Sequence, residues 1–218
     1  LTIGTAPAHG TLYLSGSPLT AGGTFTQADL AAGNLTYSHD GSETTADAFT
    51  FTVSDGAGGS ISATTFNITV TPVNDLPVIT NLNGDSTNFV AGGSAVNIDV
   101  SGNAAISDAD SANFNGGNLT ITNTGGTNNG SFSVDGTTVT SGGDGVIAAG
   151  ESISVGGVVI GTVSADGQGG NTLTITFNAN ATPARITTLL NNVLYTAPST
   201  LGARNFSVTV NEIGRAHV

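Results

Sequence analysis

The chain contains no cysteine, methionine, tryptophan or lysine. Without cysteine there can be no disulfide, thiolate metal site, iron–sulfur cluster or cysteine nucleophile. Basic charge is nearly absent as well: Arg185, Arg204 and Arg215 stand against fifteen acids, for a net charge of −12. A field of that sign repels nucleic-acid phosphates and anionic membranes and attracts divalent cations. No apolar run approaches the roughly 18 residues of a membrane span, so no membrane insertion is expected. Histidine is limited to His9, His39 and His217, with no H-E-x-x-H spacing for zinc. His39 adjoins Asp40, but no serine sits in a G-x-S-x-G elbow, so the pair has no nucleophile to activate. A polysaccharide-degrading enzyme needs a carboxylate pair across a cleft, and two thin sandwich domains offer no obvious cleft. The chain reads as a protein without catalytic activity.

Small and polar residues fill the space left by these absences. Of 218 residues, 32 are glycine, 34 threonine, 21 asparagine and 20 serine, a composition that disfavours helices. Period-2 alternation marks strands at Thr11–Leu14, Asn34–Tyr37, Ala48–Ser54 and Ser62–Thr71. Asp55-Gly56-Ala57-Gly58-Gly59 reads as a hairpin connection between the last two. Pro72 and Pro77 then hold the intervening segment extended, which predicts a stiff linker at 73–77. Beyond it, strands are expected at Ala95–Val100, Asn118–Thr122, Gly130–Val134, Ser152–Val155, Val158–Ala165, Thr172–Phe177 and Asn205–Val210. The glycine-rich stretches 142–145 and 166–170 read as turns between strands, since no lysine follows them.

Two segments break the pattern with helical signals. Thr182 caps and Pro183 opens a stripe of Ile186, Leu189, Leu190 and Val193. Thr26 with Asp29 has capping-box spacing, and Gly33 can close that shorter turn, so Asp29 is read as a cap. These signals align the halves of the chain. Each is followed by a tyrosine strand (Tyr37, Tyr195) and a second strand (Val53, Val210), and Asp55 falls opposite Glu212. The expectation is an all-β protein of tandem β-sandwich domains, with one short helix in the second. The boundaries are 1–72, a linker at 73–77, and 78–212. The first domain is expected to lack its N-terminal strands and the second its last strand. Residues 213–218 read like a translated sequencing adapter.

With these residues assembled, the chain resembles the cadherin-like repeats of very large bacterial surface adhesins. Residues 5–75 look like a chondroitin-sulfate-proteoglycan-type (CSPG) repeat, through Ala8-His9-Gly10-Thr11-Leu12, Phe25 to Leu30, Leu35 to Glu43 and Asp47 to Gly56. Residues 78–212 look like a second, looser repeat type, marked by Ser107-Asp108-Ala109-Asp110-Ser111 and Phe177 to Thr182. The resemblance implies Ig-like sandwiches, an extracellular or bacterial cell-surface location, and neighbouring repeats of the same chain as partners.

Calcium takes six to eight hard oxygens on backbone able to fold around it. Asp108-Ala109-Asp110 offers two carboxylates at i and i+2, as calcium ligands or as Asx-turn residues. Cadherins share ions at a domain boundary between such an element, a linker and an acid of the preceding domain. By that resemblance Asn74, Asp75 and Asp55 join the set, although Pro72 and Leu76 replace two of the linker's ligands. Asp40, Glu43 and Asp47 form a second acidic loop, a within-domain ion site or a solvated hairpin. The expected function is a non-catalytic, calcium-stiffened spacer of a secreted bacterial adhesin in cell adhesion or biofilm formation. The alternative is a carbohydrate- or matrix-binding module contacting matrix or cell-surface ligands.

Overall fold

A computed structural model describes residues 1–126, 129–198 and 202–213. The adapter-like tail from residue 214 lies outside the described residues. The chain forms two all-β sandwich units, one of Leu1–Val73 and one that begins at Asn74.

The first unit holds β1 (Thr2–Ile3), β2 (Gly10–Leu14), β3 (Ser17–Leu19), α1 (Gln27–Ala31), β4 (Leu35–His39), β5 (Ala46–Ser54) and β6 (Ser60–Thr69). Its two three-stranded sheets run β1-β5-β6 and β3-β2-β4. Ile3, Leu12, Leu19, Phe25 and Phe49 fill the space between them. Alternation on β5 turns Phe49 and Phe51 inward, and Phe49 stacks on Phe66 of β6 at 5.1 Å. The expected connection at 55–59 is present: Asp55 donates its N–H to Gly59 O, and its carboxylate accepts from Ala57 and Gly59. Helix α1 is a single capped turn. Thr26 Oγ1 accepts from Asp29 N, and the Asp29 carboxylate accepts from Thr26 N. The capping role expected of Asp29 is therefore present, and the Thr26 hydrogen bonds lower its pKa.

The second unit holds β7 (Val78–Thr80), β8 (Val96–Asn97), β9 (Ala105–Ser107), β10 (Asn118–Gly126), β11 (Ser131–Val134), β12 (Val139–Ser141), β13 (Ser152–Val155), β14 (Val158–Asp166), β15 (Leu173–Phe177), α2 (Pro183–Asn191), β16 (Val193–Thr196) and β17 (Arg204–Asn211). Six strands form one sheet in the order β12-β13-β14-β15-β10-β17. Three more form β11-β16-β8, and β7 pairs with β9. Leu119, Ile121, Leu173 and Ile175 from the large sheet are buried in one core with Ile186, Leu189 and Leu190 of α2. The helix starts where expected, with Thr182 Oγ1 accepting from Arg185 N and Pro183 at its first position.

The strand expected at Ala95–Val100 shrinks to Val96–Asn97. Asp99, fully buried, accepts from the N–H groups of Asn103 and Ala104 and turns the chain there. A short polar side chain that satisfies nearby backbone donors competes with a sheet ladder.

Candidate metal centre

Three segments of the second unit converge on one acidic cluster. The stretch between Pro72 and Pro77 is neither helix nor strand and presents Asn74. Strand β9 leads into Asp108-Ala109-Asp110-Ser111, and β17 delivers Glu212 just past its end. Asp108 Oδ1 accepts from the N–H groups of Asp110 (3.1 Å) and Ser111 (2.7 Å), so one of its oxygens builds the loop. Glu212 ties the cluster together: Oε1 accepts from Asn74 Nδ2 at 2.7 Å, and Oε2 accepts from Ser111 Oγ. Asp75 joins through its backbone N–H, donated to Asp110 Oδ2 at 3.3 Å.

Oxygens of Asp108, Asp110 and Glu212 lie within 4.8 Å of one another. At that separation like charges repel by roughly 3 kcal/mol per pair for an effective dielectric near 20. The hydrogen bonds from Ser111 and Asn74, each worth about 1 kcal/mol net, do not offset that repulsion. Burial pushes the Asp108 carboxyl up. The hydrogen bond shared with Asp110 and the charge of Glu212 push in the same direction, against the pull of the two backbone donors. Meanwhile Asp108 Oδ2 and Asn74 Oδ1 are buried with no hydrogen-bond partner. Buried acceptors without donors are costly in a folded protein, and these two belong to the cluster. The donor set is all oxygen, which suits a hard cation such as calcium. Asp108, Asp110, Glu212 and Asn74 supply four of the six to eight oxygens it requires.

Of the residues singled out in the sequence, Asp108, Asp110, Asn74 and Asp75 meet here, Asp75 by its backbone and with its side chain exposed. Asp55 belongs to the first unit, where its carboxylate is engaged by its own hairpin. Glu212 was absent from the expected ligands, although its alignment with Asp55 was the available signal.

The second acidic loop is organised differently. Asp47 is buried, and its carboxylate accepts from Ala8 N, His9 N, Ala48 N and Tyr37 Oη. Burial alone would raise its pKa, but these donors together hold it at about 2. Tyr37 answers with a pKa raised to about 12, from burial and from donating to Asp47. Asp40 Oδ1 closes an Asx turn on Ser42 N, with His9 and His39 at 3.9 and 3.7 Å from its carboxylate. Glu43 keeps one buried oxygen without a partner. Among the described residues, Asp108, Asp110 and Glu212 are the one group of three metal-ligating side chains that close together.

Comparison with known proteins agrees with the architecture of the first unit. A family model described as cadherin-like matches residues 1–70. Human FRAS1-related extracellular matrix protein 1 is 37% identical over 79 residues, covering 36% of this chain and 4% of that protein. Human extracellular matrix organizing protein FRAS1 is 46% identical over 78 residues, covering 35% of this chain and 2% of that protein. The chain thus spans only a few hundredths of the length of these curated relatives. No solved structure matches. Residues 1–70 thus match a cadherin-like family model, in a chain of two all-β sandwich units.

Proposed function

We propose that this chain is a non-catalytic, calcium-stiffened structural segment of a secreted adhesion protein. The observation that carries the reading is the cluster of Asp108, Asp110, Glu212 and Asn74, with two buried oxygens that no donor satisfies. Bound calcium supplies the divalent charge that offsets three crowded carboxylates. The chain's own residues determine what is held. Asn74 lies in the proline-bounded segment that joins the two units in sequence, and Glu212 lies 138 residues further on. Fixing both against the 108–111 loop restricts the junction segment and the end of β17 together. Asp75, exposed beside Asp110, is a further candidate ligand.

The names of the human relatives, both extracellular matrix proteins, support an extracellular setting with matrix components or neighbouring repeats as partners. A bacterial surface, and a part in cell adhesion or biofilm formation, rest on the resemblance to bacterial adhesin repeats. The matrix-binding alternative draws on the same names. Its carbohydrate form is weaker, because two of the three tyrosines use their hydroxyls internally: Tyr37 donates to Asp47, and Tyr195 accepts from Arg204.

Calorimetric titration with calcium, before and after Asp110→Asn, tests the reading. Stoichiometric binding that the substitution weakens at least tenfold supports it. Absence of binding by the unmodified chain would reduce these carboxylates to turn residues and leave the −12 charge as a solubility device.

A further inference from the structure

The two units carry equivalent strands with different neighbours. A shift of 157 residues places Phe49, Phe51, Val53 and Asp55 on Phe206, Val208, Val210 and Glu212, so β17 corresponds to β5. In the first unit β5 lies between β1 and β6, and Phe66 of β6 covers Phe49, which is 5% exposed. In the second unit β17 is, among the described residues, the terminal strand of its sheet. Along it runs a groove walled by the consecutive residues 204–208 and, opposite, by the segment 82–89. Consecutive residues line a groove when a strand's open edge, rather than one of its faces, forms the wall. The apolar lining includes Ile79, Leu82, Phe89, Ile98, Phe206 and Val208, with Val96, Val100 and Tyr195 further along. The first six are also the partly buried apolar side chains packed against the second unit's core. The incompletely covered part of that core therefore lies along one strand edge.

We infer that this groove seats one further β-strand, supplied directly after Glu212 and paired with β17 as β6 pairs with β5. A strand seated there would continue the β10–β17 pairing outward by one strand spacing, about 4.8 Å. Strand β6 shows what chemistry fits. It is uncharged from Ser60 to Thr69, so it brings no carboxylate towards Asp85 in the groove wall or towards the Glu212 cluster. Phe66 and Ile68, two residues apart, face the core side that Phe206 and Val208 face here. Backbone pairing provides affinity and the alternate apolar side chains provide register, as in strand addition generally.

The test replaces residues 213–218 with a copy of residues 56–70. The second unit's melting temperature should rise by about 5 °C or more, and outer-edge amides of β17 should exchange at least tenfold more slowly. Phe66→Asp in the grafted copy alone should abolish both gains. A scrambled graft that stabilises equally, or a faithful graft that changes neither measurement, would overturn the inference. Concentration-dependent melting of the unmodified chain would overturn it too, by assigning the groove to a second copy.

Discussion

Asp47 and Asp108 are both carboxylates in a chain of net charge −12, and their surroundings move them in opposite directions. Asp47 has four donors on its two oxygens, so its folded pKa of about 2 lies below the ordinary value of 3.8. A depressed folded pKa contributes stability that is present above the unfolded value and lost as pH falls through the folded one. Asp47 therefore stabilises the first unit by roughly 2 kcal/mol at neutral pH. That contribution should fade between about pH 4 and pH 2, and Asp47→Asn should flatten the acid limb of the first unit's melting temperature against pH. Asp108 has the opposite sign. Its raised pKa means that its charge destabilises the metal-free second unit at neutral pH, a penalty that lifts on acidification. In chelator, Asp108→Asn should leave the second unit's melting temperature unchanged or higher, with the response to calcium gone. A lower value in chelator would instead make that carboxylate an anchor of the 108–111 turn. In the sequence both residues stood alike, as candidate calcium ligands in acidic loops. What separates them comes from afar in the chain: Ala8, His9 and Tyr37 donate to Asp47, whereas the charge of Glu212 crowds Asp108.

At the scale of elements, each unit is locked by a tyrosine against a glycine. Leu12 of β2 pairs with Tyr37, and Phe132 of β11 pairs with Tyr195. Gly10 and Gly130 lie two residues before those partners, each under its tyrosine ring where an added Cβ would overlap the ring. The groups beyond the rings differ in charge. Tyr37 donates to Asp47, whereas Tyr195 accepts from Arg204 Nε at 3.3 Å, and Arg204 Nη2 donates to Asn129 Oδ1 at 3.1 Å. A carboxylate in one unit and a guanidinium in the other thus fasten the same three elements. Gly10→Ala should destabilise the first unit and Gly130→Ala the second, each by about 1–3 kcal/mol from overpacking. Separate calorimetric transitions would show whether each effect stays in its own unit. Elements with several alternating residues or a cap, such as β5, β14, α1 and α2, were legible in the sequence. Strands of two or three residues, such as β1, β3 and β7, were not, because alternation needs more positions to show and distant pairing sets their limits.

For the whole molecule, the acidic cluster belongs to the second unit, so calcium at a hundredfold excess over its dissociation constant should stabilise that unit by about 2.7 kcal/mol. That corresponds to roughly 8 °C in the second transition, reversed by chelator, with the first transition unmoved. Equal shifts in both would place the ion elsewhere. The division between sequence and structure follows the range of the forces. Local patterns of alternation, capping and glycine turns determined an all-β chain with two short helices, because those signals act over a few residues. The same local chemistry marked Asp108 and Asp110 as a calcium-type pair. Only the tertiary structure decided that Glu212, 102 residues beyond Asp110, completes the cluster while Asp47 is withdrawn into hydrogen bonds. A carboxylate becomes a ligand or an anchor according to which donors the fold brings to it, and strand pairing over a hundred residues sets that, not the neighbouring sequence.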